Sequence, residues 1–199
     1  MSEDTLHTNR RYLLLATAGV SAVGAVGAAI PFVQSWQPSA LAKALGAPIR
    51  VNISKLQPGE ILGPVPAWRG QPVFVVRRTA ASIARLEANV ANLADPDSDG
   101  SEQPDYAQNT TRSRNPEIGV YLGLCTHLGC SPKYYGAVQP EAFASDWQGG
   151  FFCPCHGSKF DLAGRVEKNL PAPTNLIVPP HVFEDEKTLV IGVDERSVA

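Results

Sequence analysis

All four cysteines of this chain, and two of its four histidines, fall between residues 125 and 156. They occupy two short segments. The first reads Cys125-Thr126-His127-Leu128-Gly129-Cys130 and the second Cys153-Pro154-Cys155-His156-Gly157-Ser158. Each offers two sulfurs and one imidazole. Structural thiols scattered through a core do not cluster this tightly, so the pattern points to a metal site, a disulfide, or both. Glycine in both segments and proline in the second place them in loops rather than strand interiors.

Ligand type and spacing narrow the metal. A structural zinc site would use closely spaced Cys-x-x-Cys pairs. Here the cysteines stand five residues apart in one segment and two apart in the other, each with a histidine at hand. One cysteine and one histidine from each segment give two thiolates and two imidazoles. That set suits a [2Fe–2S] cluster with thiolates on one iron and imidazoles on the other. One cysteine per segment is then left over. In an oxidising compartment that pair can form a disulfide tying the two loops together.

The elements that must position these loops follow from patterning. Residues 12–33 carry no charge. As a helix this run spans roughly 33 Å at ~1.5 Å per residue, enough for a bilayer core of about 30 Å. Pro31 is expected to end or kink it near its far side. Arg10 and Arg11 precede it, which by the positive-inside rule keeps residues 1–11 cytoplasmic and sends the rest across. Asn9-Arg10-Arg11-Tyr12-Leu13 also has the form of a twin-arginine export signal, a route for already folded proteins. The run exceeds a typical signal-peptide core, so it reads as a retained anchor.

Residues 34–48 are small and mixed, a linker of partly helical character. Beyond it, residues 49–53, 73–76, 118–124 and 188–193 have strand character. Ile83, Leu86, Val90 and Leu93 recur at helical spacing, predicting an amphipathic helix over residues 80–94. Residues 95–116 are polar and broken by prolines, and read as a surface loop. Asp95, Asp97, Asp99 and Gly100 imitate the opening of a calcium loop, but Tyr106 stands where its glutamate is required, which leaves a solvated acidic loop. His7 and His181 read as surface residues; Trp147, Phe151 and Phe152 read as core. The 17 glycines and 17 prolines agree with short strands joined by turns. The fold class is mainly β, an antiparallel sandwich or barrel with one inserted helix, behind one transmembrane helix. A net charge of -2 gives no basic excess for nucleic acid.

The two motifs, CTHLGC and CPCHGS, taken with the anchor and linker, resemble the Rieske proteins of the cytochrome bc1 complex. The resemblance implies a Rieske-type domain over residues 49–199, with a cluster-binding subdomain at about residues 120–176. It implies that Cys125 and Cys153 hold the inner iron, that His127 and His156 hold the outer one, and that Cys130 and Cys155 form the disulfide. Ser158 matches a serine whose hydroxyl bonds a bridging sulfide. Leu170-Pro171-Ala172-Pro173 resembles a proline loop covering the cluster, with Leu170 in place of the family's usual glycine. Phe160 stands where the respiratory proteins often carry a tyrosine that bonds a ligand sulfur. Losing that hydrogen bond implies a lowered reduction potential.

The resemblance further implies an electron-transfer subunit of a quinol–cytochrome c reductase, dimeric as a complex, with cytochrome b and cytochrome c1 as partners. His156 and His127 would meet quinol, and residues 34–48 would act as a hinge. Leu128 reads as an exposed tip for docking. Other readings are a Rieske subunit of a different periplasmic oxidoreductase, such as an arsenite oxidase, a Rieske ferredoxin or oxygenase component, and a zinc-binding structural domain.

Overall fold

The structure, a computed structural model, describes residues 3–194. The chain divides into two compact units, Met1–Ala44 and Leu45–Ala199.

The first unit is dominated by α1 (Glu3–Ser35). Its apolar stretch has no polar face, and its described side chains are exposed all round. The hydroxyl of Thr17 donates to the Leu13 carbonyl at 2.6 Å, so a polar group in the apolar stretch is satisfied inside the helix. The helix is long and apolar enough to cross a membrane. It continues through Pro31 to Ser35 rather than ending near the proline. The linker holds a short second helix, α2 (Ala40–Leu45), capped by Ser39, whose hydroxyl accepts the Ala42 N–H at 3.1 Å.

Among the described residues, the second unit contains three antiparallel three-stranded sheets. The first contains β1 (Ile49–Asn52), β8 (His181–Phe183) and β9 (Thr188–Ile191), with β9 central. The next contains β2 (Ile61–Trp68), β3 (Gln71–Arg77) and β4 (Ile118–Leu122), with β3 central. The third contains β5 (Lys133–Tyr135), β6 (Gly150–Phe152) and β7 (Lys159–Asp161), with β6 central. A strand's side chains alternate between faces, and β3 uses both. Val73 and Val75 join a core with Val51, Val120, Leu189 and Ile191. Phe74 and Val76 join a second core with Tyr121, Phe151, Phe160 and Leu176. That second core also contains Cys125 and Cys153. The apolar run 73–76 is therefore a strand buried on both sides.

Three expectations need correction. The helix α3 (Ala80–Ala88), capped by Thr79, stops six residues early. Asn89 ends it, and Leu93 is buried instead through a bridge to Glu167. Tertiary pairing thus overrode the helical spacing. Residues 95–116 are not a mere surface loop, because Ser98, Ala107, Arg112 and Ser113 are buried. The Arg112 guanidinium donates to the Leu176 carbonyl at 2.6 Å and to Gln103 at 2.9 Å. Burial lowers its pKa to about 10, which leaves it charged at neutral pH. His181 is not a surface residue either. It is fully buried against Tyr106, and a ring nitrogen contacts the Pro179 carbonyl at 2.8 Å.

Burial lowers the His181 pKa to about 4, so the folded state keeps it neutral. The unfolded chain binds that proton more readily, and stability falls as pH drops from about 6.5 toward 4. The His181→Phe variant is expected to lose this component, up to about 3 kcal/mol. Urea midpoints of both proteins at pH 4.5 and 7 measure it, and equal pH dependences would contradict it.

Candidate metal centre

Two loops with one backbone design build the site. The first follows β4. In it Cys125 N–H donates to the Cys130 carbonyl at 2.8 Å, and Gly129 N–H donates back to the Cys125 carbonyl at 2.9 Å. The second joins β6 to β7. In it Cys153 N–H donates to the Ser158 carbonyl at 2.8 Å, and Gly157 N–H donates to the Cys153 carbonyl at 3.0 Å. Gly129 and Gly157 have φ of 78° and 80°, the left-handed region that glycine enters at no steric cost. Both motifs therefore carry glycine at the fifth position for one geometric reason. β6 and β7 approach so closely that a Cβ on Gly150 would collide with the Phe160 carbonyl.

The structure pairs the expected site residues across the two loops. Cys130 and Cys155, 25 residues apart in sequence, form a disulfide with Cα atoms 6.6 Å apart. Cys125 and Cys153 are free and buried. Beside the Cys125 thiol lie the His127 backbone N–H, the Ser158 hydroxyl and the Cys153 thiol. Burial pushes the Cys125 thiol above its ordinary pKa, the thiol neighbour adding to the effect and those two donors opposing it. The His127 and His156 rings lie 4.7 Å apart, edge to face. His127 is half-buried and His156 exposed.

Which of these groups could hold metal follows from their chemistry. The sulfurs of Cys130, Cys153 and Cys155 lie within 4.8 Å of one another, but two of them are consumed in the disulfide. Two thiols and two imidazoles remain. Nδ1 of His127 is buried without a hydrogen-bond partner, a costly arrangement for an imidazole unless something binds that nitrogen. An orphaned ring nitrogen, a second imidazole packed against its ring and two free, buried thiols suit a metal centre of two sulfurs and two nitrogens.

A third loop covers the site. The Ala172 N–H donates to the Ser158 hydroxyl at 3.1 Å, and the Thr126 hydroxyl donates to the Thr174 carbonyl at 2.7 Å. Leu128 protrudes at 71% exposure. Phe160 is fully buried, in the same core as both free thiols. Trp147 and Phe151 are buried as expected, while Phe152 is half-buried and stacks on Phe143. Sequence reasoning missed Thr126 as a tie between loops; its place between Cys125 and His127 was the available signal. The Asp95 carboxylate accepts the N–H groups of Asp99 and Gly100, so it organises its own turn rather than facing a cation.

The family described as the Rieske [2Fe-2S] domain matches residues 93–180. The one described as the Ubiquitinol-cytochrome C reductase Fe-S subunit TAT signal matches residues 1–39. The paired loops and this match define a Rieske iron–sulfur protein carrying a [2Fe–2S] cluster. The ubiquinol-cytochrome c reductase iron-sulfur subunit of Allochromatium vinosum is 54% identical over 188 residues, covering 94% of this chain and 90% of that one. That of Blastochloris viridis is 43% identical over 193 residues, covering 96% and 97%. A solved chain of a hyperthermophilic respiratory Complex III is 27% identical, with TM-score 0.45, covering 87% and 97%. This chain belongs to the family of ubiquinol–cytochrome c reductase iron–sulfur subunits.

Replacing both Cys130 and Cys155 by serine removes the covalent tie between the loops. A tie of this length contributes about 3 kcal/mol. The double variant is expected to lose its visible iron–sulfur absorbance faster in chelator than the parent, and an unchanged rate would contradict this.

Proposed function

We propose that this chain is the electron-transfer subunit of a quinol–cytochrome c reductase. In this reading Cys125 and Cys153 hold one iron of the cluster, and His127 and His156 hold the other. The observation that carries it is the convergence of two buried thiols with two adjacent imidazoles, one of them exposed. The bound cluster supplies a one-electron couple and makes its imidazole N–H groups more acidic when oxidised. His156 is then the group a quinol hydroxyl can reach. It accepts the hydrogen bond at its outer nitrogen and takes the proton, with His127 half-buried behind it. Neutral imidazoles contribute less negative charge than thiolates, which raises the potential above that of four-cysteine clusters.

Docking relies on shape and apolar contact. Residues 126–132, 154–157 and 170–174 contain no Asp, Glu, Lys or Arg. Leu128 protrudes at the tip of the first loop. Such a face suits apolar pockets on cytochrome b and then on cytochrome c1. Residues 1–11 lie in the cytoplasm, residues 12–33 anchor the chain in the inner membrane, and the domain of residues 49–199 lies in the periplasm. Its cluster-binding part spans about residues 120–176. Residues 34–48 serve as the hinge that carries the domain between its two partners within a dimeric complex. The family match to a twin-arginine signal supports export of a folded, metal-loaded domain. The disulfide supports an oxidising destination.

Two experiments test this. Proline substitutions in residues 34–48 are expected to slow quinol-driven cytochrome c reduction at least tenfold with the cluster spectrum intact; full activity would refute the hinge. Phe160→Tyr places a donor near the free thiols and is expected to raise the midpoint potential at fixed pH. No rise would remove Phe160 as a determinant of the potential.

A further inference from the structure

We infer that Asp95, Ser101 and Asn175 are positioning residues, which hold the third loop and the first ligand loop in register around the cluster site. The inference rests on the ligand assignment proposed above.

The observation is one unbroken hydrogen-bond chain. The Ser101 hydroxyl donates to the Asp95 carboxylate. The same hydroxyl accepts the Asn175 backbone N–H at 3.0 Å. That N–H and the Thr174 carbonyl belong to one peptide group, and the Thr174 carbonyl accepts the Thr126 hydroxyl at 2.7 Å. Thr126 sits between Cys125 and His127. A carboxylate is thus linked through two hydroxyls and one peptide to the loop bearing two of the four ligands. Bonds in such a chain polarise and strengthen one another.

The Asn175 side chain locks the junction. It is fully buried. Its carbonyl oxygen accepts the Val166 N–H at 2.8 Å, and its amide donates to the Asp95 carbonyl at 2.8 Å and to the Ser98 hydroxyl at 3.1 Å. The acidic turn that imitates a calcium loop is therefore an anchor for the third loop.

The consequence reaches a ligand sulfur. The third loop supplies the Ala172 N–H to the Ser158 hydroxyl, and that hydroxyl lies beside the Cys125 sulfur. A hydroxyl that accepts a hydrogen bond is a stronger donor. Loosening the third loop shifts that hydroxyl relative to the cluster sulfurs and disfavours the electron-rich, reduced centre. A role in folding alone would leave the redox equilibrium unmoved.

The test uses the full-length, cluster-loaded protein in detergent, with Tm, the EPR spectrum of the reduced state and the midpoint potential measured together. Ser101→Ala is expected to keep the EPR line shape and to shift the reduction equilibrium about threefold toward the oxidised form. Ser101→Thr, which keeps the hydroxyl, is expected to restore the parent midpoint. Ser101→Ala combined with Thr126→Val is expected to shift less than the sum of the two, because both break one chain. Should Ser101→Ala fail to fold, Thr126→Val alone must lower the midpoint. A Tm that falls with an unmoved midpoint, or strictly additive shifts, would overturn the inference. A parent protein whose EPR spectrum lacks nitrogen ligation would overturn the ligand assignment, and this inference with it.

Discussion

The constraint on which the rest depends is that two thiols must be buried while two imidazoles beside them stay reachable. Burial alone would strand polar groups, and exposure alone would leave the sulfurs open to oxidation. The chain resolves this with two loops of one backbone shape, each closed by two backbone hydrogen bonds and a glycine in the left-handed region. The same shape carries different side chains. His127 occupies the third position of one loop and His156 the fourth of the other. The residues at the sixth position, Cys130 and Ser158, serve as a covalent tie and as the acceptor of the Ala172 N–H from the third loop.

Everything behind the loops keeps that arrangement rigid. β3 is buried on both faces and divides two cores, one belonging to the supporting sheets and one extending to the thiols. Phe151 fills the second core, with Phe74 stacked at 5.9 Å and Tyr121 edge-on at 5.8 Å. Buried arginines bind carbonyls of the surrounding chain, as Arg112 does at Leu176 and Arg165 at Leu86 in α3. These charges would be costly without partners, and Arg112 fixes irregular backbone at Leu176 that no sheet orders. The segment 95–116 earns its burial in the same way, with polar side chains substituting for secondary structure.

The centre was more legible in the sequence than its supports. Cysteine and histidine have few roles at such spacing, so the two motifs singled out the candidate ligands, and the structure joins Cys130 to Cys155 and sets His127 against His156. Strands with plain β patterning, such as Val73 to Val76, could also be read. The rest depended on contacts distant in sequence. Gly63, Pro64 and Pro66 hid β2, which tolerates them because it is an edge strand. β5, β6 and β7 have three residues each, too short for alternation to show. Leu93 matched a helical stripe, yet its partner is Glu167 across a bridge. His181 followed two prolines and looked exposed, because nothing nearby in sequence reveals that Tyr106 covers it.

The central claim is that two histidines and two cysteines together hold the cluster. The most direct measurement is pulsed EPR of the reduced protein, prepared with nitrogen-15 in histidine only. The account predicts hyperfine couplings from two histidine nitrogens, lost one at a time in His127→Gln and His156→Gln or lost with the cluster itself. A reduced spectrum without histidine nitrogen coupling, or one that survives both substitutions unchanged, would contradict it.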